Sequence, residues 1–298
     1  MTNLENTNRT FGVEIECIVP TALVNNSDSR SRVEPIRKFA NLMFERTGLQ
    51  FTYGGYHSST HNTWHVEYDS SVHGNGYGFE IVGPVLTIDQ LHQVRSVCRV
   101  LNDIQATVNR NCGLHVHVGT SDLTFKQKKL IAKRYCKFED VFDYFMPASR
   151  RTRNNQYCNT MWGNVQGNQY AQAINSQLKK IDRCRTLACV SHVFYNGRYS
   201  KVNFQTRKPT VEFRHHSGTV DFDKISNWVL LCMSIVNAAK NGKPIKKMES
   251  WMIGTRPLNH RFSVLFNALD VDSTVKTFFR KRMKHFIKLD GQPQSVGA

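Results

Sequence analysis

Acidic residues are scarce in this sequence: 23 Asp and Glu stand against 40 Lys and Arg among 298 residues, a formal charge of +17. That imbalance points to an anionic partner or substrate, such as nucleic acid or nucleotide phosphate, and fixes neither fold nor chemistry. No run of roughly 18 apolar residues occurs, so no membrane-crossing helix is predicted. The polar start, Met1 to Thr10, lacks the apolar stretch of a secretory leader, and the reading is of a soluble cytoplasmic protein without a membrane partner. Cysteines stand at 17, 98, 112, 136, 158, 184, 189 and 232 with no C-x-x-C pair and no zinc-finger spacing, so mostly free thiols in a reducing compartment are expected. Neither G-x-x-x-x-G-K-[ST] nor H-E-x-x-H is present, which argues against a P-loop enzyme and a zincin. Aromatics are not scarce, with 18 Phe and 10 Tyr, so a chain of this length can bury a core without disulfide staples.

What is there reads as alternating strand and helix. Phe11 to Val19, Phe51 to Tyr56, Thr63 to Tyr68, Phe79 to Val82 and Leu114 to Val118 predict strands; Ser200 to Gln205 and Thr210 to Arg214 predict a hairpin. Helical spacing covers Ser31 to Arg46, stopped by Gly48, and a stretch capped by Thr87 with Gln90 that runs to about Val108. Further helices are predicted over Thr124 to about Phe145, Asp221 to Ala239, Asn259 to Leu269 and Ser273 to Phe286. These elements predict an α+β fold, a sheet with helices packed on one face. We expect one catalytic domain over 11–287 between a flexible lead, 1–10, and a flexible tail, 288–298. Within it, 148–177 is a polar, Asn- and Gln-rich insert or lid, and 259–287 a basic helical part.

Three strands carry chemistry on one side. Side chains alternate across a strand, so Glu14 and Glu16 share a face while Val13, Ile15 and Cys17 share the other. His115 and His117 are set off in the same way from Leu114, Val116 and Val118, and Glu212 and Arg214 from Val211 and Phe213. Glu80 interrupts an apolar strand, and Glu67 and Asp69 share a face. Each segment alone could be a solvated strand face. Together, as neighbours, so many carboxylates need counter-charge, and a divalent cation is the simplest supply. Many oxygens with one or two imidazoles favour Mg²⁺ or Mn²⁺ over zinc, and Mg²⁺ with carboxylates points to a phosphate substrate. The turn His73 to Gly78, with Gly76 at its centre, is either a backbone cradle for phosphate or a plain turn.

Four segments in order resemble the amidoligases of the glutamine synthetase and glutamate–cysteine ligase superfamily. They are Gly12-x-Glu14-x-Glu16, Glu67-x-Asp69-x-Ser71 with Gly78 to Pro84, Gly113 to Gly119, and Val211 to Arg214, within residues 11–240. The resemblance implies a curved, mainly antiparallel sheet whose concave face holds divalent ions and ATP. It implies an ATP-dependent carboxylate–amine ligase, in which the carboxylate takes the γ-phosphoryl group and an amine attacks the acyl phosphate. Carried over residue by residue, Glu14, Glu16, Glu80, His115 and Glu212 are implied as metal ligands. His115, Glu212 and Arg214 are implied at the nucleotide, where the turn at Gly76 is a further candidate. Arg214, Glu67 and Asp69 are implied in catalysis, where His117, sharing the face of His115, is a candidate to bind substrate or take a proton from the amine. The sequence departs from the common pattern at Asp69-Ser70-Ser71 and Gly83-Pro84, around the substrate contacts.

Two rivals remain at this level. A cysteine hydrolase would pair Cys112 with His115 or His117, and it leaves the acid-bearing strands unexplained. A non-enzymatic nucleic-acid binder would use the six Lys and Arg of 276–288, with Arg150, Arg151 and Arg153 near Tyr157 and Trp162.

Overall fold

The computed structural model describes residues 8–25, 33–54, 62–151, 155–162, 170–194, 197–246, 258–269 and 271–291. Contacts divide the chain into two compact units. The strand unit takes Leu4–Gly119 and Glu212–Cys232; the helical unit takes Met1–Asn3, Thr120–Val211 and Met233–Ala298.

Among the described residues seven strands form one sheet, in the order β2-β3-β4-β1-β5-β7-β6. They are β1 Phe11–Val19, β2 Phe51–Tyr53, β3 Trp64–Tyr68, β4 Tyr77–Val82, β5 Gly113–Gly119, β6 Val202–Asn203 and β7 Thr210–Ser217. β2 runs parallel to β3, and β3/β4, β4/β1 and β1/β5 are antiparallel. Backbone bonds from Gly218 to the Cys112 carbonyl and from Thr120 to the Pro209 carbonyl, both 2.8 Å, set β5 and β7 antiparallel as well. The fold is thus α+β, built on a mainly antiparallel sheet.

In the strand unit, helix α1 is the short Thr21–Val24, α2 is Val33–Thr47 and α3 is Leu91–Asp103. α2 buries Ile36, Phe39, Ala40 and Met43, the i, i+3, i+4, i+7 stripe of a helix laid on a sheet. Its end is closed by Gly48 at φ 72°, whose N–H donates to the Phe44 carbonyl at 2.8 Å. Phe39 stacks on Phe79 of β4 with centroids 4.8 Å apart. Because Phe79 faces the helices, the alternation of β4 turns Glu80 to the opposite face. α3 follows a capping box formed by Thr87 and Gln90, then buries Val94, Val97, Cys98 and Leu101. It stops at Asp103, short of the expected Val108, and Gln105 at φ 57° turns the chain back.

In the helical unit, α4 is Phe125–Asp143, α5 Tyr170–Arg183, α6 Leu187–Val193, α8 Leu258–Leu269 and α9 Ser273–Asp290; α7, Phe222–Lys240, crosses from the strand unit at Met233. Thr124 and Gln127 form the capping box that starts α4. Aromatic residues on it and just beyond it make the core: Tyr135 stacks on Phe142, and Phe145, two residues past its end, meets Phe262 and Phe266 of α8 and Phe279 of α9. Beside this lies a buried ion cluster. The ammonium of Lys201 pairs with Glu139 at 2.7 Å and with Asp143, and Glu139 also accepts the Met161 N–H at 2.8 Å.

Several expectations change here. β6 has two residues, not the six of Ser200 to Gln205: Lys201 before it joins the ion cluster, and after it the Gln205 N–H donates to the Asn203 side-chain oxygen at 2.7 Å and turns the chain. The expected polar insert, 148–177, contains the first half of α5, which buries Ile174, Leu178 and Ile181. Within the same stretch Cys158 and Met161 are fully buried, and the Trp162 indole donates to the Cys136 carbonyl at 2.5 Å. Arg153 and residues 163–169 lie outside the described residues. Six cysteines are free and buried, whereas Cys184 and Cys189 form a disulfide. No helix among the described residues is long and apolar enough to cross a membrane.

Candidate metal and nucleotide site

The apolar side chains of β1, β4 and β5 pack on the helices, so their alternation collects the polar ones on the other face. Register then decides who meets whom. Glu14 stands opposite His115, Gly12 opposite His117, Glu16 opposite Glu80, and Glu67 opposite Glu80. Side by side in the sheet, directly paired residues bring their Cβ atoms within about 5.5 Å.

The contacts follow. His115 Nδ1 lies 3.0 Å from Glu14 and 3.7 Å from Glu212, while its Nε2 lies 3.6 Å from Glu16. His117 Nε2 is 3.0 Å from the other oxygen of Glu14. Arg214 is ion-paired with Glu212. Glu16 Oε2 accepts the Gly113 N–H at 2.6 Å, which fixes its direction. Asp69 Oδ1 accepts the Ser71 N–H at 2.7 Å, so Asp69-Ser70-Ser71 closes an Asx turn that holds this carboxylate at the end of β3.

Three overlapping groups of donors result: Glu14, His117 and Glu212; Glu14, Glu80 and His115; and Glu16, Asp69 and Glu80. Within each, the donor atoms lie within 4.8 Å of one another. The all-carboxylate group tests the fit to a cation. At 4.8 Å and an effective dielectric of about 20, each ionised pair repels by about 3.5 kcal/mol, so three pairs approach 10 kcal/mol. A whole protein is stable by about 5–15 kcal/mol, so a proton or a cation must relieve this. Burial, together with the charges of Glu14, Glu16, Asp69 and Glu67, does push the Glu80 carboxyl well above the usual carboxylate range. A dication in place of that proton fits the oxygen-rich set, with at most one imidazole per group, as Mg²⁺ or Mn²⁺ and not as tetrahedral zinc.

The other end of the face is balanced differently. Burial opposes ionisation of Glu14, but His117 and His115 outweigh it and hold this carboxyl well below its usual value. The same competition, with Arg214 and His117 as the cations, holds Glu212 down. Burial works against the charged form of His117, and Glu14 and Glu212 more than offset it, so its pKa is raised.

Gly76 has its own account. At φ 147° it suits glycine, a Cβ there would press on the Val19 carbonyl, and its N–H donates to the Gly74 carbonyl at 3.0 Å. Those bonds and contacts explain the residue as part of a packed turn. Cys112 is fully buried in a cluster with Ile18 and Val72, with its sulfur bonded to Asn109, which closes it to a substrate. Two residues, His65 and Thr52, escaped the sequence reading. His65 is buried on the same face, 3.6 Å from Glu67 through Nε2 and 2.8 Å from the Thr52 hydroxyl through Nδ1. The two-residue spacing of His65 from Glu67 was the available signal.

With this geometry in place, comparison gives one family and several remote structures. Residues 7–236 match the family described as "Putative amidoligase enzyme". No curated protein matches the sequence. Among solved structures, GmaS without ligand is similar at 11% identity and a TM-score of 0.44, over 98% of this chain and 71% of that one. A bifunctional glutathione synthetase from Pasteurella multocida is similar at 10% identity and 0.42, over 94% of this chain and 48% of its own. The glutamate–cysteine ligase of Francisella tularensis, solved with AMP, gives 12% and 0.41, over 97% and 84%. The chain spans less than half of the Pasteurella protein.

Proposed function

Because this chain belongs to the amidoligase family, as the match over residues 7–236 shows, we propose that it is an ATP- and Mg²⁺-dependent carboxylate–amine ligase working through an acyl phosphate. The observation that carries the reading is the run of three donor groups along one strand face, sharing Glu14 and Glu80. Glu14, Glu16, Asp69, Glu80, His115 and Glu212 would hold the divalent ions, which when bound neutralise the phosphate charge of ATP.

The protein's own groups have distinct tasks. A carboxylate is a poor acyl donor because oxide would have to leave; phosphorylation supplies a phosphate leaving group. Arg214 presents a planar fork that can hold a carboxylate or phosphoryl oxygen in two-point contact, and its pair with Glu212 sets its direction. His117, ion-paired through Nε2 to Glu14, is the group we assign to proton transfer with the attacking amine. Glu67 is held by His65, itself bonded to Thr52, and orients the substrate edge of the face.

The test is ADP release from ATP and Mg²⁺ across panels of amino acids, polyamines, peptides and nucleic acids, with product mass. Substrate-stimulated release, a new amide, and a loss of about 10²-fold or more in both Glu16→Ala and Glu212→Ala are expected. Absence of both turnover and Mg²⁺-dependent ATP binding overturns the proposal.

A further inference from the structure

The charge excess of this chain is not spread over it. The strand unit, with the acid face, has 11 Lys and Arg against 14 Asp and Glu, a net −3; the helical unit has 29 against 9, a net +20. The ligase reading rests on the acid face of the strand unit, and it leaves the charge of the helical unit unexplained.

The densest part is α9. From Ser273 to Leu289 it holds six Lys and Arg and no Asp or Glu. No cation on it can therefore be paired within the helix at i, i+3 or i, i+4, and Arg280, Lys284 and Lys288 instead repel one another at successive i, i+4 steps. Arg280, Lys281, Lys284 and Lys288 are all exposed. They climb one side of the helix over about 12 Å, from eight residues at 1.5 Å each. The helix dipole accounts for Lys288 in the last turn, and for none of the others.

We propose that this face of α9 is a docking surface for the phosphate backbone of nucleic acid. Two alternatives fit less well. An amphipathic helix lying in a bilayer needs a free apolar side, but Val275, Phe279 and Met283 are buried, with Phe279 packed 4.8 Å from Phe145. An acidic protein surface mixes its charges, whereas a stripe without a single acid, in a unit of net +20, matches a partner whose charges are dense, regular and of one sign. The surface requires nothing of the ligase reading.

The experiment titrates the full chain into fluorescein-labelled single- and double-stranded DNA and RNA of about 20 nucleotides, reading anisotropy at roughly 50 and 200 mM salt. Four phosphate contacts predict a fall in affinity of about 10²-fold between those salts. Lys281→Gln, Lys284→Gln and Lys288→Gln combined should lose most of that salt dependence, while Arg at the same three positions should keep it. Should the triple Gln variant fail to fold by circular dichroism, the triple Arg variant and the wild-type salt slope still decide. Equal or tighter binding of poly-glutamate or of anionic phospholipid vesicles overturns the proposal. So does salt-insensitive binding, an unchanged slope in the folded triple Gln variant, or no binding at the lower salt.

Discussion

Replacing Glu80 by Gln should stabilise the metal-free protein and abolish its response to Mg²⁺. Glu80 shares one group with Glu16 and Asp69 and another with Glu14 and His115, with the donor atoms of each within 4.8 Å, so the substitution deletes three close carboxylate pairs. At about 3.5 kcal/mol per ionised pair the ceiling is about 10 kcal/mol. The upward shift of the Glu80 carboxyl lets the wild type relieve part of that by taking up a proton, so a gain of about 1–3 kcal/mol is expected, or about 2–6 °C in Tm. The sign with pH follows from linkage. Glu80 binds its proton more tightly folded than unfolded, so wild-type stability falls as pH rises from the ordinary carboxylate range through the raised folded value. The Glu80→Gln protein has no such fall, and its advantage over the wild type grows with pH. With Mg²⁺ the order reverses: a ligand at about 100 times its Kd adds about 2.7 kcal/mol to the wild type and nothing comparable to the variant. Differential scanning fluorimetry in EDTA and in Mg²⁺, over a pH series, reads all three effects. A variant less stable than wild type in EDTA, with an equal Mg²⁺ response, would refute the crowding argument.

Two further predictions concern the packing around these features. Lys201→Met leaves Glu139 and Asp143 buried without their cation, and urea denaturation should show a loss of about 3–5 kcal/mol; a change under about 1 kcal/mol would mean the acids find water or protons at little cost. Gly78→Ala places a Cβ into the Val72 carbonyl, a rigid backbone neighbour, and should cost about 2–4 kcal/mol in thermal melts; an unchanged Tm would mean that the Val72 turn shifts freely.

The acid face was legible because alternation is a local signal. Glu14 and Glu16, His115 and His117, and Glu212 and Arg214 each declare a shared face within a few residues, and β1 ends where its apolar pattern ends, at Phe11–Val19. What meets across strands was not legible from spacing alone: Glu16 stands opposite Glu80 only because β1 lies between β4 and β5. Lys201 shows the same limit. Its partners Glu139 and Asp143 are 62 and 58 residues away on α4, where they look like ordinary exposed acids of an amphipathic helix. In α5 the signal existed, as Ile174, Leu178 and Ile181 at helical spacing, but Asn and Gln on either side diluted it into an apparent loop.

Net charge is unevenly divided between the two units. Averaged over the chain, +17 points to an anionic partner or substrate without saying where it sits. The unit that holds the candidate site is net negative, and on that face Arg214 is ion-paired with Glu212. The acids of one face repel any anion until their charge is compensated, which is why a divalent cation is part of the proposed function. The basic excess lies in the other unit, where Arg280, Lys281, Lys284 and Lys288 of α9 are exposed. The two proposals therefore predict different sensitivities: salt should weaken binding at the helix face through screening, and a chelator should act at the acid face through loss of its counter-charge.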